Sequence, residues 1–281
     1  MKRPAVRSGR RSGGPAASLT GVAAVLSLLV AACAKGPLQL PAGDGEPFAD
    51  FEQAWADASV ECRAVGTLTA EVAVSGRVGG GRVRGRVLVG FERPDRLRIE
   101  AVAPAGPPVF ILVASGGAST LLMPRTAEVL AGEPAEAVLE ALVGVSVRPG
   151  ELGAILSGCL APNPVAVAGR RFGSEWLRID LEDGGTAFLR QAGGRWRIRA
   201  GSRPALTVEY DYGPGEPVPS RVGLRTTASA GSGANLQLEP AQVEVGGEID
   251  ARAFSLKVPP GAVPITLRDL RAADPLGARL R

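Results

Sequence analysis

From Val65 onward, apolar and polar residues alternate with a period of two. Leu68, Ala70, Val72 and Val74 alternate with Thr67, Thr69, Glu71 and Ala73. After a Gly79-Gly80-Gly81 turn, Val83, Val87, Val89 and Phe91 alternate with Arg82, Arg84 and Arg86. Beyond Pro94-Asp95, Leu97, Ile99 and Ala101 alternate with Arg96, Arg98 and Glu100. This pattern marks strands with one buried face, joined by short turns into an antiparallel meander. The stretch 109–113 is apolar on both faces, and Leu121-Leu122-Met123 and Val129-Leu130 follow it. Strand patterns resume over 176–181, 186–190, 195–200, 206–212, 221–227, 236–245 and 254–258. The chain thus predicts about a dozen strands with hairpin links.

Two regions break this period. Phe48, Phe51, Trp55, Ala58 and Cys62 recur at spacings of three and four, one face of an amphipathic helix. Between Pro134 and Gly158, Val138, Leu139, Leu142 and Val143 form one helical stripe, and Leu152, Ile155 and Leu156 form another. Pro149 opens the second helix with Glu151 in its first turn, and Gly144 and Gly158 stand where helices stop. No repeat and no domain linker interrupts 48–270, which reads as one α+β, mainly β, domain, with 271–281 as a C-terminal tail.

The N-terminus carries a different signal. Lys2, Arg3, Arg7, Arg10 and Arg11 precede an apolar run of 14 residues, Leu19 to Ala32, with no acid among them. A basic start, a short apolar run and small residues before a cut describe a secretory signal over 1–32. The run is shorter than the ~20 residues of a bilayer span. Leu29-Val30-Ala31-Ala32-Cys33 resembles a bacterial lipobox. The resemblance implies that Cys33 receives a diacylglycerol on sulfur and an acyl chain on its new amine, with no other cofactor. Residues 33–47, rich in Gly and Pro, then read as a tether.

Removing the signal changes the charge. The 32 Lys and Arg fall by five to 27, against 28 Asp and Glu, a net of −1. That balance gives no bulk argument for nucleic acid. The chain has no His, which removes the usual Ser-His-Asp and Cys-His catalysis and the commonest metal ligand. No Gly-x-Ser-x-Gly elbow and no Gly-x-x-x-x-Gly-Lys loop occurs. Asp180 and Glu182 share the polar face of a strand, and Asp183-Gly184-Gly185 reads as a hairpin turn rather than a carboxylate site. The expectation is therefore a non-enzyme without metal.

Several segments resemble the LolA/LolB-like lipoprotein carriers. They are Arg93-Pro94-Asp95-Arg96-Leu97-Arg98-Ile99-Glu100, Pro104-Ala105-Gly106-Pro107-Pro108-Val109-Phe110, Pro149-Gly150-Glu151-Leu152 and Phe254-Ser255-Leu256-Lys257-Val258-Pro259-Pro260-Gly261-Ala262. The resemblance implies an open, curved antiparallel β half-barrel with short helices plugging its concave, acyl-binding face. The protruding apolar loop of LolB has no counterpart here, Gly116-Gly117 being too short and small. On this reading the 134–158 region is a lid. Leu152, Ile155 and Leu156 face Leu68, Val72, Val87, Val89, Leu97, Ile99, Phe110 and Leu112 across a cavity for acyl chains.

The implied setting is the periplasmic side of the outer membrane, or of the inner, with the membrane held through the lipid anchor. The implied partners are a lipid or lipoprotein ligand and a periplasmic carrier, with no nucleic acid. The other reading is an envelope sensor or assembly accessory with the same fold and a filled core. Cys62 and Cys159 each close a helical segment on an apolar face, which suits either a periplasmic disulfide or two buried thiols. Arg82, Arg84, Arg86, Arg96, Arg98, Arg195, Arg197 and Arg199 read as a solvated face with partners such as Glu71, Glu100, Asp180, Glu209 and Asp211, or as a face for anionic headgroups.

Overall fold

The computed structural model describes residues 38–161, 163–226 and 233–273. Cys33, the apolar run before it and the end of the C-terminal tail lie outside them. From Leu40 onward the chain forms one compact unit.

Strand β1 (Glu46–Pro47) leads into helix α1 (Phe51–Ala64). Six strands follow: β2 (Thr67–Val78), β3 (Gly81–Glu92), β4 (Arg96–Val102), β5 (Ile111–Ser115), β6 (Ala118–Met123) and β7 (Glu128–Glu133). Helices α2 (Ala135–Val143) and α3 (Pro149–Leu156) separate them from β8 (Ala166–Phe172), β9 (Trp176–Leu181) and β10 (Thr186–Ala192). Then come β11 (Arg195–Arg203), β12 (Leu206–Asp211), β13 (Arg221–Thr226) and β14 (Ala234–Val245). Strand β15 (Val263–Pro264) and helix α4 (Leu267–Ala273) end the described chain.

The 15 strands among the described residues belong to one open sheet, ordered β1-β8-β9-β10-β11-β12-β13-β14-β2-β3-β4-β5-β6-β7-β15. The β14–β2 pairing joins the two meanders: Leu238 lies opposite Val74, and Val245 opposite Leu68. Period-two alternation decides which face is buried. Leu68, Ala70 and Val72 of β2, and Leu97, Ile99 and Ala101 of β4, enter the core, while their neighbours stay partly exposed. Helices α2 and α3 supply Val138, Leu139, Leu142, Ile155 and Leu156 to the same apolar cluster. The sheet is thus an open half-barrel with helices on its concave face.

Two expectations need correction. Residues 254–258 form no strand. A 3-10 turn, Ala251–Phe254, begins where the Asp250 carboxylate accepts the Arg252 N–H, and places Phe254 on the outer face. There the Arg98 guanidinium donates to the Ala253 carbonyl at 2.9 Å. Of the alternating Phe254, Leu256 and Val258 only Phe254 is buried and Val258 is exposed, so the pattern marks no strand face, and Pro259-Pro260 could not donate to a ladder.

The linkage is also more than hairpins. Strands β1, β8 and β15 carried no clear alternation, and β15 pairs with β7 in parallel. The pairings β1–β8 and β14–β2 are long-range.

Candidate functional site

Between the concave sheet and helices α2 and α3 lies a cavity of about 100 Å³ whose lining residues are all apolar. Of the residues expected there, Val72, Val87, Val89, Ile99, Phe110, Leu152, Ile155 and Leu156 line it. Leu68, Leu97 and Leu112 are also buried, but they pack in the core away from it. The cavity further takes Leu224, Leu236 and Leu238 from β13 and β14. No local pattern shows that these distant strands adjoin β2. Val145 and Val147 come from the link between the helices, where no periodicity marks them.

The sequence positions α3 closely. Pro149 fits the first helical turn, where its missing N–H costs nothing. The Glu151 carboxylate accepts the Arg148 backbone N–H at 2.9 Å, the Arg148 guanidinium at 2.9 Å and the Arg203 guanidinium at 3.0 Å. Burial alone would raise the Glu151 pKa, but these donors outweigh it and hold the pKa at about 2. Beyond the helix, the Tyr210 hydroxyl donates to the Cys159 carbonyl at 2.6 Å. Cys159 is joined to Cys62 of α1 by a disulfide, with Cα atoms 5.5 Å apart. Helix α3 is therefore tied at both ends.

Helix α2 is held differently. Gly144 ends it in the left-handed conformation (φ 66°), with its N–H on the Glu140 carbonyl. The Thr226 hydroxyl reaches the Gly144 carbonyl only at 3.4 Å, and the rest of its hold is largely apolar burial.

On the sheet side, Val74, Gly85 and Val87 are half-buried cavity residues. They mark where the cavity meets solvent. Strand β4 ends at Val102, opposite Arg86, so among the described residues 81–85 of β3 have no strand partner on that side. The mouth lies beside this free edge.

The outer face is charged. Arg86 pairs with Glu71 at 2.8 Å, Arg199 with Asp211 at 2.6 Å and Arg225 with Glu209 at 2.8 Å. Arg98 pairs with Glu100. Asp180 pairs with Arg178 at 3.1 Å. The Asp183 carboxylate accepts the Gly185 N–H at 2.9 Å, the expected hairpin turn. Among the described residues no cluster of His, Cys, Asp and Glu could hold a metal, and no helix is long and apolar enough to cross a membrane.

This arrangement is the open, curved half-barrel with helices on its concave face that the sequence motifs imply. Structures similar to it include a LolA superfamily protein from Nitrosomonas europaea, 14% identical over 73% of this chain and 97% of that one, with a TM-score of 0.47. A DUF1329 family protein from Desulfovibrio piger is 10% identical over 75% of this chain and 98% of its own, with a TM-score of 0.48. No protein-family model and no curated relative matches the sequence.

Proposed function

We propose that this protein binds an acyl chain of a lipid or lipoprotein between its concave sheet and helix α2, without covalent chemistry. On this reading it works from the periplasmic face of the outer membrane, tethered through Cys33. The carrying observation is an all-apolar cavity that reaches a free sheet edge. Each methylene moved from water into such a site gains ~0.8 kcal/mol. Neither a nucleophile nor a bound ion is needed for this.

The cavity's size constrains the mechanism. An apolar protein cavity of about 150 Å³ takes a benzene-sized molecule, so a space of about 100 Å³ holds only the first few groups of a chain. Uptake of more requires α2 to move outward, because α3 is fixed by Glu151, Tyr210 and the disulfide. Helix α2 has 9 residues, few polar ties and an apolar inner face, so it can slide while keeping apolar contacts with a ligand in place of the sheet.

The small volume also favours a second reading, an envelope interaction protein whose core is already filled. Native mass spectrometry of the protein purified from a lipid-containing bacterial host separates the two. The carrier reading expects a copurifying lipid released at higher collision energy. Consistently ligand-free protein supports the filled core.

A further inference from the structure

Three outer-face arginines stand apart from the ion pairs described above. Arg77, Arg82 and Arg84 lie at the distal end of the β2–β3 hairpin, all exposed. Arg77 is directly opposite Arg82, and Arg84 is opposite Ser75. Among the described residues none of the three has an acidic partner. The neighbouring acids are committed elsewhere, Glu71 to Arg86 and Glu239 to Arg221. In the next strand, Asn235 and Gln237 face Arg77 and Ser75. The segment 227–232, between β13 and β14, contains no Asp or Glu.

Directly opposed like charges destabilise a strand pair. Arginines also oppose each other at Arg170–Arg178 and Arg190–Arg197, but there Arg178, Arg190 and Arg197 have Asp180, Glu175 and Glu61 as partners; at this hairpin end three cations stand together without one. Their side chains leave the outer face of the same hairpin whose inner face supplies Val74, Val83, Gly85 and Val87 to the cavity and its mouth. A surface that neutralised the arginines would thus lie next to the opening.

We propose that this hairpin end docks on an anionic phospholipid surface, with the guanidinium groups on headgroup phosphates. The choice of a bilayer rests on the lipid-binding reading above and on the lipobox-like Cys33. Guanidinium forks suit phosphate oxygens, and each basic residue near an anionic leaflet adds attraction that salt screens. Docking orients the cavity mouth toward the leaflet, so that an acyl chain passes between bilayer and protein with little exposure to water.

The test measures partition of the processed chain onto vesicles of phosphatidylcholine alone and of phosphatidylcholine with phosphatidylglycerol. In the processed protein, which lacks the five basic residues of 1–32, the ratio of the two partition coefficients cancels the contribution of the uncharged lipid anchor. The wild type is expected to favour the anionic vesicles by roughly 10- to 100-fold at low salt. The triple variant Arg77→Gln/Arg82→Gln/Arg84→Gln should bring the ratio close to one while keeping the wild-type circular dichroism. Arg190→Gln, which removes an exposed arginine paired with Glu175, should leave the ratio high. The same ratio in wild type and triple variant overturns the proposal. So does an equal drop in Arg190→Gln, which would trace the preference to net charge. Lipid copurification without anionic preference would retain the cavity reading and discard the docking one.

Discussion

Gly153 of α3 lies so close to the Phe91 ring of β3 that a Cβ on Gly153 would come within 2.4 Å of it. The helix can approach the sheet this closely only because position 153 carries no side chain. Gly150, one turn earlier, faces the Pro94 carbonyl in the same way, its Cβ position lying 2.5 Å from that oxygen. These two glycines set the floor on which the lid region rests.

Gly153→Ala should therefore destabilise the protein even though alanine is the better helix former. Overpacking costs ~1–3 kcal/mol, and the helix-propensity gain of ~1 kcal/mol offsets only part of it. Urea denaturation should show a lower midpoint for the variant. A higher midpoint would mean that Phe91 moves aside freely and the packing is loose.

The Glu151 cluster makes a signed pH prediction. Its carboxylate, at about 2, lies below the ordinary value of 4.5, so it binds its proton more weakly folded than unfolded. The stabilisation is therefore complete above about pH 5 and is lost as the pH falls toward 2. It is on the order of 3 kcal/mol for a well-buried carboxylate. Glu151→Gln should lower the stability at pH 7 and flatten its fall between pH 5 and 2. Parallel pH profiles of urea midpoint for wild type and variant would contradict this.

The disulfide closes a long loop between α1 and the end of α3. The chain-entropy model gives about 4–5 kcal/mol for a loop of this size. Cys62→Ala/Cys159→Ala should lower the denaturation midpoint by a corresponding amount and raise hydrogen exchange in α3. Unchanged exchange there would show that the Glu151 and Tyr210 contacts hold the helix without the bridge.

Much of the sheet was legible because alternation survives wherever one face is buried. Residues 67–102 show this best, with valine or leucine inside and arginine outside. Helices α2 and α3 were legible from Pro149, Gly144 and the stripes of Leu139 with Leu142 and Ile155 with Leu156. Strand β8 was not, because Gly169 and the Arg170-Arg171 pair break its alternation; Gly169 is there to admit Phe51 of α1, whose Cβ would lie 2.3 Å from an added one. Beyond Phe110 and the α3 residues Leu152, Ile155 and Leu156, the sheet wall of the cavity was legible on the β2–β4 side alone. Its other wall depends on β14 pairing with β2, a contact between residues more than a hundred positions apart that no local pattern encodes. Leu112 lies opposite the cavity residue Ile99, yet it packs in the core and does not line the cavity.

The anchor is tested separately, since Cys33 lies outside the described residues. Cys33→Ser should abolish incorporation of a labelled fatty acid and leave a longer, unprocessed precursor on a gel. Equal labelling of variant and wild type would remove the anchor from the account.

The central claim is that the seam between sheet and helix α2 takes an acyl chain. Titration with a fluorescent fatty acid tests it most directly, comparing wild type with Val87→Trp, which places an indole at the half-buried mouth beside Val72 and Ala101. The account predicts saturable binding by the wild type, displaced by unlabelled lipid, and little binding by a folded Val87→Trp. Absence of saturable binding by the wild type, or equal binding by the variant, would contradict it.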